Sequence, residues 1–167
     1  MTNSVFDEIV SAIQHFAESA EDFTSLQQFS VSIIAERLPY YNWTGFYMLD
    51  PGDENFLVLG QFHGDSTEHV RIPVTAGICG AAVAQGETVI VDDVSADARY
   101  LACSLETKSE IVVPIRVHGE IAGEIDIDSH ALSAFGADDR RFLEECAEVF
   151  GRFLEKQPSR KQALRDL

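Results

Sequence analysis

Three acidic residues stand at alternate positions, Glu124, Asp126 and Asp128, inside the stretch EIAGEIDIDSH at residues 120–130. In an extended chain the alternation puts them on one face and Ile121, Gly123, Ile125 and Ile127 on the other. Same-face neighbours along a strand are about 7 Å apart, and Asp is a poor strand former. The arrangement therefore opposes the strand unless something offsets the charge. A solvated face, a metal site and a pocket for a cationic group are the three readings open to it. The loop pattern Asp-x-Asp-x-Asp-Gly of a calcium site is missing, which counts against the second. Glu110, in KSEIVVP at the start of the preceding strand, could add a carboxylate across the hairpin.

The three cysteines differ in setting. Cys146 falls on the apolar stripe Phe142, Cys146, Val149, Phe150, Phe153 of a C-terminal helix and reads as core. Cys79 opens a run of small residues, CGAAVAQ, that reads as a short helix packed closely on a sheet. Near such a helix start the backbone dipole favours a thiolate, although a small residue tolerated among small residues reads as well. Cys103 sits in the polar segment DARYLACSLETKSE, between strands, where a thiol suggests reactivity because free cysteines are usually buried. No Cys-x-x-Cys or His-x-x-x-His spacing accompanies Cys79 and Cys103, so no metal is expected and a redox pair is open to them. Trp43 and Tyr47, four apart in a strand, share a face. They serve either as core or as a pocket wall suited to a methyl-thioether or sulfonium-like group.

Several elements must position these residues. Phe6, Ile9, Ile13, Phe16 and Ala20 recur at helical spacing over residues 4–20, as do Leu26, Phe29, Ile33 and Leu38 over residues 24–38, and Pro39 ends the second helix. The period then changes. NWTGFYML and FLVLGQFH, separated by DPGDEN, read as a hairpin, and HVRIPV, ETVIVDDV, SEIVVPIRV and EIAGEIDID continue a set of about six strands. His118-Gly119 is tight enough to join the last two as an antiparallel hairpin. A final helix begins near Asp138, whose side chain can cap it, and runs to Pro158. The expected fold is α+β: one domain over residues 1–157, an antiparallel sheet with the N- and C-terminal helices packed on one face, and a frayed tail at 158–167.

Composition narrows the partners. The chain has 167 residues, is 46% hydrophobic and carries a formal charge of -16, with 12 Lys and Arg against 28 Asp and Glu. That length and apolar content suit one well-filled domain, and the charge repels nucleic acid and anionic membrane surfaces. No apolar run approaches a membrane span, and the N-terminus lacks the basic start of a signal peptide. A cytoplasmic protein is expected. The amphipathic terminal helices offer a surface through which two copies could pair.

The segments NWTGFYML, LVLGQFHG, VRIPVTAGICGAAVAQ, DDVSAD, ACSLETKSEIVVPI and GEIDIDS together resemble a GAF-domain family, the free methionine-(R)-sulfoxide reductases, over roughly residues 40–155. The combination of GICG, of AC followed by SEIVVP, and of DIDS separates this family from signalling GAF domains. The resemblance implies reduction of the free amino acid methionine-(R)-sulfoxide to methionine, with no bound cofactor and thioredoxin or a similar dithiol as the external reductant. It places the catalytic loop cysteine on Cys103 and the helix cysteine on Cys79. The substrate-binding aromatics fall on Trp43 and Tyr47, and the acidic ligands on Glu110, Asp126 and Asp128. Glu124 matches no binding position and reads as surface. One departure concerns recycling: a further family cysteine, ten residues before the helix one, is here His69.

The mechanism implied is attack of the Cys103 thiolate on the sulfoxide sulfur, followed by resolution of a Cys103 sulfenic acid by Cys79. Two rivals stand beside it. One is a non-catalytic GAF module that senses a small ligand, which has no need of two thiols. The other is a metal-binding α+β domain, which predicts stabilisation by metal.

Overall fold

The computed structural model describes residues 4–101 and 104–157. Cys103 and the tail at 158–167 lie outside them, and the expectations placed there concern residues the structure does not describe. The chain opens with helices α1 (Val5–Ala17) and α2 (Phe23–Arg37), followed by strands β1 (Trp43–Asp50), β2 (Asp53–His63) and β3 (Arg71–Pro73). Helix α3 (Gly77–Gln85) and strand β4 (Val89–Val91) come next, then a 3-10 turn at Val94–Ala96. Strands β5 (Ser109–Val117) and β6 (Glu120–Ser129) and helix α4 (Ala137–Glu155) complete it.

The strands form one six-stranded sheet in the order β3-β2-β1-β6-β5-β4, antiparallel throughout. Alternation gives the sheet two distinct faces. Phe46, Ile111, Val113, Ile115, Ile125 and Ile127 point to one side and join the apolar residues of α1, α2 and α4 in the larger core. Tyr47, Leu57, Ile72 and Val112 point to the other, where Ile78, Cys79 and Ala82 of α3 cover them. The expected α+β arrangement, with the terminal helices on one face, is the one observed.

Local chemistry accounts for the helix boundaries. Ser4 and Asp7 form a reciprocal capping box at the start of α1. At α4 the expected cap is corrected: Asp139, three residues into the helix, accepts from the Gly136 amide, and Asp138 instead pairs with Arg141 at the surface. The hydroxyls of Tyr40 and Tyr41 also donate to Asp139, tying the approach to β1 onto the start of α4. Helix α2 turns a different stripe inward from the one its spacing suggests. Leu26, Val31 and Ile34 are buried together with Gln27 and Ser30, while Phe29 and Ile33 are half-buried. Ser30 satisfies itself by donating to the Leu26 carbonyl, and Gln27 accepts from the Gln61 amide of β2.

Two close approaches fix the layers. A Cβ on Gly151 would stand 2.2 Å from the Arg116 carbonyl oxygen, so α4 lies directly on β5. A Cβ on Gly80 would stand 2.8 Å from the Val74 carbonyl, so α3 folds tightly against the chain leading into it. The β5-β6 turn is tight, with His118 and Gly119 both at positive φ (51° and 81°), the geometry of a two-residue hairpin whose twist suits the flanking strands.

Candidate active site

The pairing register of the sheet assembles the site. Along β6, Asp128 stands opposite Trp43 of β1 and Glu110 of β5. Asp126 stands between Gly45 and Val112, and Glu124 between Tyr47 and Pro114. Residues directly opposite in a ladder share a face, so four carboxylates and two aromatics line one side of three adjacent strands. Helix α3 covers them from above and brings the Cys79 sulfur to 3.5 Å from Asp126 Oδ2, with the thiol as donor. The structure thus brings together six of the sequence-derived site residues, Trp43, Tyr47, Cys79, Glu110, Asp126 and Asp128. Cys103 lies outside the described residues, but its neighbours border the site. Leu101 packs on Gly77 at the start of α3, and Ser104 lines a cavity of ≈ 120 Å³ with Trp43, Thr107, Asp128 and His130.

Glu124 is corrected from surface to interior. Its relative exposure is 0%, against 3% for Asp126 and Asp128 and 5% for Glu110. Neither Glu124 oxygen has a hydrogen-bond partner among the described residues, nor does Oδ1 of Asp126 or of Asp128. Among those residues no Lys or Arg is ion-paired with Glu124, Asp126 or Asp128. Buried carboxylates without counter-charge hold their protons more tightly. Burial raises Glu124 well above the usual carboxylate range, with the negative field of Asp126 adding to it. Burial raises Asp128 likewise, again with Asp126 adding. Asp126 is raised by burial as well, against the hydrogen bonds it receives from Glu110 and Cys79.

The same surroundings reverse the reading of Cys79. It is the third residue of α3, as the sequence suggests, but burial and the negative field of Asp126, Glu124 and Glu110 push its thiol well above the ordinary value. Burial and these carboxylates oppose the helix start and favour the neutral thiol at Cys79. Cys146, wholly buried in α4, is the core residue its spacing suggests.

The aromatics also hold the loop between β2 and β3. Trp43 Nε1 donates to the Asp65 carbonyl at 3.0 Å, and the Tyr47 hydroxyl donates to the His69 carbonyl at 2.8 Å. Their rings lie 6.2 Å apart and nearly parallel, and Trp43 stacks on Phe62 from its other side. Gly45 makes this possible, since a Cβ there would stand 2.3 Å from the Trp43 ring. These roles of Gly45, Asp65 and His69 carry no sequence signal. Nor does the burial of Glu124, because its strand alternation is the same under water and under a helix. A larger groove, ≈ 660 Å³, runs beside α4 with Arg116, Arg140, Arg152 and several glutamates along it. Arg140 and Arg152 are paired there with Glu144 and Glu148, and no thiol lines it.

Among the described residues no helix is long and apolar enough to cross a membrane. One ligand atom each from Cys79, Glu110 and Asp126 lies within 4.8 Å of the others, the one grouping among the described residues with the makings of a metal site.

Comparison with known proteins matches residues 4–154 to the GAF domain. The free methionine-R-sulfoxide reductase of Escherichia coli is 36% identical over 142 residues, covering 79% of this chain and 84% of that protein. Protein YtsP of Bacillus subtilis is 41% identical over 123 residues, 74% of each chain. The structure of free methionine-R-sulfoxide reductase from Neisseria meningitidis in complex with its substrate superimposes with a TM-score of 0.86 at 32% identity, covering 93% of this chain and 92% of that one. The chain belongs to the GAF-domain family and, within it, to the group of the free methionine-R-sulfoxide reductases.

Proposed function

We propose that this chain reduces free methionine-(R)-sulfoxide to methionine, with electrons from thioredoxin or a similar dithiol. The observation that carries this reading is the buried face of four carboxylates without a basic partner at Glu124, Asp126 or Asp128, beneath a thiol and beside two aromatics. A free amino acid brings the missing charge in its ammonium group, which carboxylates bind by charge-assisted hydrogen bonds. A methionine side chain inside a protein has no such group. Trp43 and Tyr47 supply an apolar wall for the methyl-sulfinyl end.

In the mechanism we favour, the Cys103 thiolate attacks the sulfoxide sulfur while a protonated carboxyl of the pocket donates to the oxygen. Burial supplies such acids at Glu124, Asp126 and Asp128. Methionine leaves with its sulfur reduced, and Cys103 is left as a sulfenic acid. Cys79 then attacks that sulfur, expelling water and forming a Cys79–Cys103 disulfide, which thiol exchange with an external dithiol reduces to the starting pair. The neutral state of Cys79 supports this order of attack over its reverse. With His69 where relatives offer a further cysteine, Cys79 carries the resolving step alone.

The test is turnover of the (R) and (S) epimers of free methionine sulfoxide with thioredoxin, its reductase and NADPH. Consumption of the (R) epimer alone is expected. Failure of both epimers, with dithiothreitol failing too, would transfer the pocket to the rival reading, a GAF module that binds a small cation-bearing ligand without chemistry. The pair of cysteines separates the two readings. A sensor lacking Cys79 and Cys103 keeps its affinity, whereas a reductase lacking them loses all multiple turnover.

A further inference from the structure

The carboxylate face can take a second kind of cation. Cys79 Sγ, a Glu110 oxygen and an Asp126 oxygen lie within 4.8 Å of one another, and the sulfur is 3.5 Å from Asp126 Oδ2. Donors around one tetrahedral ion with bonds of about 2.0–2.3 Å stand roughly 3.3–3.8 Å apart, so the Cys79–Asp126 pair already fits and any wider pair need close by only about 1 Å. An acidic cluster with a cysteine does not by itself make a site. Here an independent feature points inward to a ligand: Glu124, fully buried beside Cys79, has neither oxygen satisfied among the described residues, and Asp126 Oδ1 lacks a partner as well. Three donors with a fourth carboxylate at hand, and no Lys or Arg paired with Glu124 or Asp126, are arranged for a dication.

We propose that the pocket binds a borderline-soft divalent cation, of which Zn²⁺ is the type, through Cys79, Glu110 and Asp126, and that this ion excludes the amino-acid substrate. One thiolate among carboxylates selects the ion class. Zn²⁺ and Co²⁺ accept mixed sulfur and oxygen donors, whereas Mg²⁺ and Ca²⁺ want oxygen alone. A metal-bound cysteine is a thiolate, so uptake of the ion displaces the thiol proton. Bound ion also takes the Cys79 sulfur out of thiol exchange, which makes the site inhibitory. The competition with substrate and the inhibition rest on the reductase reading; the metal site stands on the geometry.

The reduced, chelator-treated full chain is titrated with Co²⁺ as a spectroscopic probe and then with Zn²⁺. The expected result is a near-ultraviolet thiolate-to-cobalt band in the parent and in Cys103→Ser, lost in Cys79→Ser, bleached by Zn²⁺ and indifferent to Mg²⁺. No band in the parent, persistence in Cys79→Ser, or loss in Cys103→Ser overturns the proposal. Should Cys79→Ser fail to fold, Glu110→Gln decides in its place and must weaken Co²⁺ by about tenfold or more, as loss of a direct ligand does. Binding of free methionine-(R)-sulfoxide to Cys103→Ser is then measured with and without Zn²⁺. Displacement supports a shared site, and simultaneous binding overturns it. If the cobalt band appears while no substrate binds or turns over, the reductase reading fails and the metal site stands.

Discussion

The Cys79 thiol donates to Asp126 Oδ2 across 3.5 Å, joining the first turn of α3 to the centre of β6. A thiol held as a donor to a carboxylate is a poor nucleophile until its proton is taken. Two thiols of unequal readiness should therefore separate by mutation. In Cys79→Ser, one equivalent of methionine is released per chain and thioredoxin-driven turnover is lost. In Cys103→Ser, no methionine is released and turnover is lost as well. Rapid-quench assays with and without thioredoxin check both, and methionine release by Cys103→Ser alone would reverse the assignment.

Stability should fall as pH rises. Glu124, Asp126 and Asp128 have folded-state pKa values raised above their unfolded values, chiefly by burial. Between those values the folded chain binds more protons than the unfolded one. The stability present below the unfolded pKa of about 4 is thus lost progressively as pH climbs toward the raised values. Asp22 and Asp97, both lowered by hydrogen bonds, work in the opposite sense and only at lower pH. The expected outcome is a melting temperature that drops as pH rises above about 4, with a shallower slope in Glu124→Gln. An identical slope in that variant would remove Glu124 from the account.

Affinity for an ammonium-bearing ligand should run the other way. Carboxyls that are protonated in the free pocket must ionise to pair with the ammonium, so binding releases protons and tightens with pH over the same interval. Calorimetry in buffers of different ionisation enthalpy measures the release directly. Zero proton release would mean that the carboxylates are already ionised.

Gly45→Ala should disturb the only tryptophan. A Cβ at that position meets the Trp43 ring at 2.3 Å, so the indole must swing away or β1 must move. Overpacking of this kind costs about 1–3 kcal/mol. Denaturant unfolding should show the loss, and the Trp43 fluorescence maximum should shift in the folded state. An unchanged spectrum would place the indole elsewhere.

Tyr47→Phe deletes the hydroxyl that holds the His69 carbonyl. The expected cost is about 1 kcal/mol, that of one hydrogen bond at a half-buried site. Faster amide exchange should follow at residues 64–70, while β1 itself stays protected. Exchange unchanged in that loop would show that Trp43 and its bond to Asp65 suffice.

Much of this architecture is legible in the sequence because the strands alternate cleanly. Ile125 and Ile127 against Asp126 and Asp128 set the two faces, His118-Gly119 sets the hairpin register, and that register puts Glu110 beside Asp128. Alternation does not say what covers a face, and there the reading of Glu124 goes astray: a strand pattern is the same under water and under α3. Cys79 stays open between its two readings for the complementary reason. Its place in the helix is local and readable, but the three carboxylates that govern its proton come from β5 and β6, remote in sequence. At α4, Asp138 and Asp139 are adjacent acids, and only the turn geometry after Gly136 selects the second as the cap.

Glu124, Asp126 and Asp128, which no Lys or Arg pairs among the described residues, also bear on the lifetime of the chain in a cell. Any cation that fills the face stabilises only the folded form, and by mass action the stabilisation grows with its concentration. Proteases clear whatever fraction of a marginal domain is unfolded. Empty copies are then degraded sooner than occupied ones, and the abundance of the protein comes to record how much of its ligand is present.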